Sequence, residues 1–319
     1  MDAVFTGNFG GDMPAYRTRF QIRDLEEFTG VKAHTIRMWE KRYGLLRPDR
    51  TDTNIRTYGL DELKALLNVA YLNRNGYRIR KIAELPPSER DKLVRQASAG
   101  DQAADLDLNT LKVAMLSFDE ELHRRTVDRF RERAGFRRLV EDLYVPLLEQ
   151  IGMLWQTSSI CPGHEHFTSN LIRQDLIAEI ASLGPTRHPD RVHVLFLPEN
   201  EIHDLGLLYL YYLLKTKGER CVYLGESVPT DDLAQVAAQF DGRLTCVVLC
   251  TVTPHGEDLP AYLRTLTAGL PMERCDVVVG GGQTRDLRAG DLPEGVRVGA
   301  TITELTSLLD LRTIGSPGG

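Results

Sequence analysis

The sequence predicts a multidomain protein, helical at first and α/β at the end. The expected order is a winged helix-turn-helix, a four-helix bundle and a flavodoxin-like doubly wound parallel sheet. Three observations predict it. Two helical patterns flank a glycine turn between Phe20 and Tyr43. Apolar residues recur at helical spacing from about Leu106 to Leu183. From Arg191 to Arg312, apolar strand-like runs alternate with helical ones. A chain of 319 residues has room for two or three domains. The boundaries read as a leader over 1–16, a head over 17–85, a linker over 86–105, a bundle over 106–184 and a sheet domain over 190–312.

Composition narrows the class. Hydrophobic content of 42% with 26% charged residues describes a soluble globular protein. Apolar runs fall short of the ~20 residues of a membrane span. Residues 1–11 have neither the basic stretch nor the apolar core of a signal peptide. The expected location is therefore the cytoplasm, with no membrane partner. Five cysteines without a C-x-x-C pair fit a reducing compartment. Cys221, Cys246, Cys250 and Cys275 lie in or beside strand-like runs and read as small buried hydrophobes. Charge is uneven: residues 1–81 hold 15 Lys/Arg against 10 Asp/Glu, the remainder 24 against 35. A basic head on an acidic body points to one nucleic-acid-binding module attached to something else.

In the head, Phe20–Phe28 has helical apolar spacing and stops at Thr29-Gly30. Lys32–Tyr43 reads as a second helix, stopped by Gly44. Ile36 and Trp39 fall on its inner face; His34, Thr35, Arg37 and Arg42 are placed to meet DNA. Leu45–Tyr58 reads as a polar wing carrying Arg47, Arg50 and Arg56, and a further helix runs from Asp61 to about Asn73. The stretch Thr35-Ile36-Arg37-Met38-Trp39-Glu40-Lys41-Arg42-Tyr43-Gly44-Leu45-Leu46-Arg47-Pro48, with Arg50 and Asn54-Ile55-Arg56-Thr57-Tyr58, resembles the MerR regulators. The resemblance covers about 70 residues. It implies that the second helix enters the major groove of operator DNA and that the wing grips phosphates. By match of position it implicates Thr35, Arg37 and Tyr43 on the helix, and Arg50, Asn54 and Arg56 on the wing. Ile79–Gln102, with Pro86-Pro87 and Ser98-Ala99-Gly100, reads as a helix-breaking linker. MerR proteins often dimerise through a long helix at this point, which the two prolines interrupt.

In the bundle region, Val113, Leu116 and Leu122 are spaced for one helix. Leu139, Leu143, Leu147 and Ile151 recur every four residues and share a face. Four packed helices are the economical arrangement. Trp155 is followed after nine residues by Glu165-His166. This is similar to the W-x9-E-H signature of light-sensing cobalamin regulators, where the three residues cap the adenosyl group above cobalt.

The sheet domain is built from strand candidates Val192–Leu197, Arg220–Leu224, Thr245–Cys250, Asp276–Val279 and Val296–Val298. The helix candidates are Leu205–Lys215, Asp231–Phe240, Leu259–Ala268 and Ile302–Leu311. In the flavodoxin-like order the crevice opens between strands one and three, at their C-terminal ends. Glu201-Ile202-His203-Asp204-Leu205-Gly206 follows strand one and Cys250-Thr251-Val252-Thr253 follows strand three, so both line it. A carboxylate two residues before an imidazole can hold it in one tautomer and leave its other nitrogen for a metal. Gly280-Gly281-Gly282 follows strand four, where missing Cβ atoms admit a close neighbour. The first run resembles the D/E-x-H-x-x-G motif of cobalamin-binding domains, in which the His becomes the lower cobalt ligand. That resemblance makes His203 the metal ligand. It makes Glu201, Asp204, Gly206, Cys250, Thr251, Thr253, Gly280, Gly281 and Gly282 the cofactor-binding set, with Trp155, Glu165 and His166 above. The family's S-x-L is replaced by Cys250-Thr251-Val252, where Thr251 or Thr253 can supply the hydroxyl.

Taken over about 290 residues, the order of parts resembles the adenosylcobalamin-dependent light sensors of the MerR family. The implied protein is not an enzyme. It is a dark-state repressor that oligomerises as a dimer or tetramer on operator DNA and lets go in light. One departure stands out: the His that follows the Trp in that family is Gln156 here. A bis-His photoproduct from that position is impossible, with His123 and His164 as conceivable substitutes. A bilin tetrapyrrole, with or beside cobalamin, is the alternative chromophore. Two other classes compete with this reading: a cofactor-independent regulator controlled by a protein antagonist, and a corrinoid enzyme subunit. The intact His203 set opposes the first. The DNA-binding head and the lack of a catalytic barrel oppose the second.

Overall fold

The computed structural model describes residues 19–97, 103–157, 159–255, 258–285, 287–288, 290 and 292–311. The expected leader, 1–16, and linker residues 98–102 lie outside them. The chain divides into two compact units, one ending at Ser169 and the other starting at Asn170.

The first unit opens with α1 (Ile22–Thr29) and α2 (Ala33–Tyr43). Each stops at a left-handed glycine, Gly30 at φ 70° and Gly44 at φ 61°. Those caps return an N–H to a carbonyl of the last turn. The wing is a two-strand ribbon, β1 (Asp49–Arg50) against β2 (Arg56–Thr57), antiparallel and turned at Asn54. Then follow α3 (Leu60–Arg74), α4 (Ile79–Glu84) and α5 (Pro87–Ala97). Leu25, Ile36 and Trp39 form the core of the head with Leu63 and Leu66. The linker expectation is corrected here. Pro86-Pro87 ends one helix and begins another, because the missing N–H of a proline costs nothing in a first helical turn.

The rest of this unit is α6 (Ala103–Ser117), α7 (Glu120–Ala134), α8 (Phe136–Leu139), a π-helical turn (Val140–Tyr144), α9 (Val145–Gln156) and the start of α10 (Pro162–Ser182). Leu139, Leu143, Leu147 and Ile151 are all buried, so they do share an inward face. Leu122, however, is not on the helix of Val113 and Leu116. The chain turns at Phe118, and Asp119 starts α7 by accepting the Leu122 N–H at 2.9 Å. The head is joined to these helices by buried polar contacts. Lys112 Nζ of α6 donates to the Phe28 carbonyl at 2.9 Å. Ser159 sits 2.8 Å from both Asp24 and Glu27 of α1.

The second unit is a five-stranded parallel sheet: β3 (His188–Pro198), β4 (Glu219–Val228), β5 (Arg243–Leu249), β6 (Cys275–Gly280) and β7 (Val296–Gly299). Its order is β4-β3-β5-β6-β7, the doubly wound order expected. The helices are α11 (Leu205–Lys217), α12 (Thr230–Ala237), α13 (Leu259–Ala268) and α14 (Ile302–Leu308). Val194 and Phe196 pack with Val248, Val277 and Val279, and with Leu233 and Leu263 of α12 and α13. Alternate residues of the same strands, Leu195, Val247 and Val278, are equally buried on the other face. Both faces are covered, which is why these strands read as continuous apolar runs.

Candidate functional site

The carboxylate of Glu201 organises the crevice. It lies at the end of β3 and is fully buried. Oε2 accepts the backbone N–H groups of Thr251, Val252 and Thr253 at 3.1, 2.6 and 3.0 Å. Oε1 accepts those of Ile202 and His203 at 2.9 and 3.0 Å. It also lies 2.5 Å from His203 Nδ1. Burial alone would raise its pKa. Hydrogen bonds from the His203 ring and from the N–H groups of Thr253, Val252 and His203 outweigh that and hold it down to about 2. An ionised carboxylate only accepts, so His203 Nδ1 carries the proton and the ring lone pair sits on Nε2. That is the nitrogen a metal would take.

Around this pair the expected residues have distinct surroundings. Thr253 Oγ1 is buried without a hydrogen-bond partner, a hydroxyl ready for a ligand. Thr251 is buried; its carbonyl lies 3.4 Å from Gln283 Nε2. Cys250 is fully buried, and burial pushes its thiol well above the usual range, so it is inert. Asp204 is held by Arg173 through Nε and Nη2, the shortest distance being 2.6 Å. Arg173 also approaches Glu226 at 3.7 Å. The glycines serve packing inside the protein. A Cβ on Gly281, at φ 101°, would clash with the Cys250 carbonyl oxygen. One on Gly280 would meet Leu305, and one on Gly206 would press on Leu249. The space expected to admit a ligand at Gly280 and Gly281 is thus filled by the protein's own atoms. Gly282 opens the short 3-10 turn that follows.

Trp155, Glu165 and His166 belong to the first unit. Trp155 is half-buried near the end of α9. Glu165 accepts from Ser169 Oγ at 2.6 Å and pairs with His166 Nδ1 at 2.7 Å. His164 is buried against Phe118, with stacked rings 4.8 Å apart. His123 is buried too, and burial lowers its pKa to about 4.

On the head, α2 exposes His34, Arg37, Lys41 and Arg42, with Thr35 and Tyr43 half-buried. The Arg42 guanidinium lies over the Tyr43 ring. Arg50 bonds the Asn54 side chain at the wing turn. Arg56 is engaged inward. Its Nε donates to Glu40 Oε1 at 3.1 Å, while Tyr58 Oη donates to Glu40 Oε2 at 3.0 Å. Glu40 therefore ties the wing to α2.

Comparison with known proteins places these parts. Residues 20–88 match the MerR HTH family regulatory proteins, and residues 107–177 match a B12 binding domain. The chain thus joins a region similar to MerR regulators to a region similar to a B12 binding domain. It is 28% identical over 277 residues to the HTH-type transcriptional repressor CarH of Myxococcus xanthus, covering 85% of this chain and 91% of the relative. It is also 28% identical over 301 residues to the repressor CarA of the same organism, covering 90% and 95%. Among solved structures it resembles the monomethylamine corrinoid protein of Methanosarcina barkeri, at a TM-score of 0.51 and 14% identity. That likeness covers 66% of this chain and 98% of the other, and it concerns the fold alone.

Sequence reasoning missed three contributors. Glu40 was read as part of a signature and not as the anchor of the wing. Arg173 and Lys112 gave no local signal, since their partners Asp204 and Phe28 stand 31 and 84 residues away.

Proposed function

We propose that this chain is a cytoplasmic transcriptional repressor that holds operator DNA in the dark and releases it in light, using cobalamin as the light-sensitive group. The observation that carries the reading is the Glu201–His203 pair at the sheet's switch point, in a chain that also has a MerR head. The residues suit the cofactor. Glu201 fixes the His203 proton on Nδ1, so Nε2 offers a lone pair to cobalt, and Thr253 offers an unused hydroxyl. When bound as adenosylcobalamin, the group supplies a cobalt–carbon bond sensitive to visible light. Trp155, Glu165 and His166 are assigned to its upper face on the strength of their sequence spacing. Gln156 cannot serve as a cobalt ligand like an imidazole, so the light-adapted form relies on other residues. A bilin with or beside cobalamin is the second chromophore to test.

The DNA response follows from avidity. Copies of the chain linked as a dimer or tetramer bind DNA at high effective concentration, and separating them removes that gain without altering any head contact. Protein purified in darkness should show a corrinoid absorption spectrum that changes under green light, together with loss of an operator gel shift. A spectrum that responds only to red light would assign the bilin. A colourless protein that still shifts DNA would overturn the cobalamin reading.

A further inference from the structure

A second cavity lies within the first unit, apart from every residue assigned to the cofactor. It has a volume of about 760 Å³ and is walled by α3, α5, α6 and α7. Pockets that take small molecules are of this size. One wall is apolar, from Leu67, Val94, Leu106, Val113 and Leu122. Basic residues line the cavity as well. Arg125, Arg129 and Arg133 follow one another at four-residue steps on α7, so they line one stripe, and Lys64 of α3 lines the same cavity.

The charges do not cancel. Asp107 is almost fully buried and takes both Arg129, at 2.6 Å, and Arg133, at 3.0 Å. Two guanidinium groups on one carboxylate leave one positive charge. Of the other two cations, Arg125 pairs with Glu121 at 3.3 Å, and Asp91, which accepts from Asn68 at 2.9 Å, offsets Lys64, so the excess is one positive charge. A second feature points to a ligand. Asn109 lines the cavity, is 6% exposed, and its Nδ2 is buried with no hydrogen-bond partner. A buried amide donor without an acceptor costs free energy that an incoming acceptor would recover.

The geometry points to a binding site for a small organic acid, with an apolar body against the leucines and valines and a carboxylate or phosphate head that accepts from Asn109 and Arg125. The walls come from the DNA-binding head, α3, and from the helices that match the B12 binding domain, α6 and α7. A ligand here bridges the two parts of the unit, independently of the light-sensing site.

The test is calorimetric titration of the full chain, purified with its cofactor in darkness, using hexanoate, hexyl phosphate and hexanol. Saturable binding of one or both anions, with none for hexanol, is expected, and the stronger anion identifies the preferred head group. Arg125→Glu should weaken that binding about tenfold or more by reversing charge at the head group. Arg125 is exposed and pairs only peripherally with Glu121, so the variant keeps its fold. Asn109→Leu should weaken it as well. Absence of saturable binding by either anion would mean that the cavity holds only water and would overturn the proposal. So would equal binding by Arg125→Glu and the unaltered protein, or hexanol binding as well as the anions.

Discussion

Glu201 does two jobs that substitutions can separate. Its Oε1 orients the His203 ring and its Oε2 collects three N–H groups from the loop after β5. His203→Ala should leave the fold intact and weaken corrinoid retention about 10–100-fold or more. Glu201→Gln places an NH2 group where only acceptors fit. It should lower unfolding free energy by about 1–3 kcal/mol as well as release the corrinoid. Thermal melts and absorption after gel filtration measure both; a Glu201→Gln variant that melts like the unaltered protein would refute the bridging role. Lys112 makes a pH prediction. Burial lowers its pKa from 10.5 to about 8, with Arg74 contributing in the same direction and Asp105 opposing. Between those values the unfolded chain holds more protons than the folded one, so stability rises with pH from 8 to 10.5. The rise amounts to about 3 kcal/mol at 1.36 kcal/mol per unit. Lys112→Met removes this contribution. The stability difference between the two proteins should therefore change across that window, and a constant difference would show that burial does not lower the Lys112 pKa.

At the scale of elements, the wing and α2 act as one piece because Glu40 holds Arg56 and Tyr58. Simple charge counting says that Glu40→Ala, which removes a negative charge near DNA, should strengthen binding. The structure argues the reverse: without its anchor the wing loses its position and affinity for all sequences should fall. Operator binding measured against salt distinguishes the two. Arg56→Ala should weaken every sequence alike. A salt slope flatter by ~1 would show that Arg56 reaches a phosphate, whereas an unchanged slope would confine it to anchoring the wing. Thr35 and Tyr43 lie on α2, so changing them should alter base preference instead. Trp155→Ala is expected to keep corrinoid binding through His203 and to lower dark oligomerisation; elution and light response like the unaltered protein would make Trp155 a plain packing residue. Strand and helix positions in the sheet unit were legible from local pattern, to within a few residues. The linker helix α5 was not, because prolines both end and begin helices and composition does not say which. The break at Phe118 was not legible either: Val113, Leu116 and Leu122 fit helical spacing, and periodicity alone does not show the turn that Asp119 caps.

For the whole molecule, the avidity mechanism predicts that light changes how many heads are linked and leaves each head's contacts alone. The isolated head, residues 17–85, should bind one operator weakly and equally in darkness and light. The full chain should bind more tightly in darkness and lose that advantage in light. Gel-shift titrations of both on one operator measure this, and an equal light response in the two would disprove the mechanism, since the residues assigned to the chromophore, His203 and Trp155 among them, lie outside the head.

By itself the sequence determined the parts and their order. Residue periodicity sets helix and strand locally, and the MerR and E-x-H-x-x-G signatures are short enough to be read along the chain. It also placed the His203 and Thr251 loops on one crevice, because strand order follows from the alternation of strands and helices. Tertiary structure alone decided what each side chain meets there. Glu201 reaches N–H groups 50 residues away, Lys112 reaches a carbonyl 84 residues away, and the space beside Gly280 and Gly281 is filled by Leu305 and the Cys250 backbone. Such pairings depend on which faces pack together and at what distance. Local spacing carries no record of that, because the hydrogen bonds and contacts that fix it form only once the chain has closed on itself.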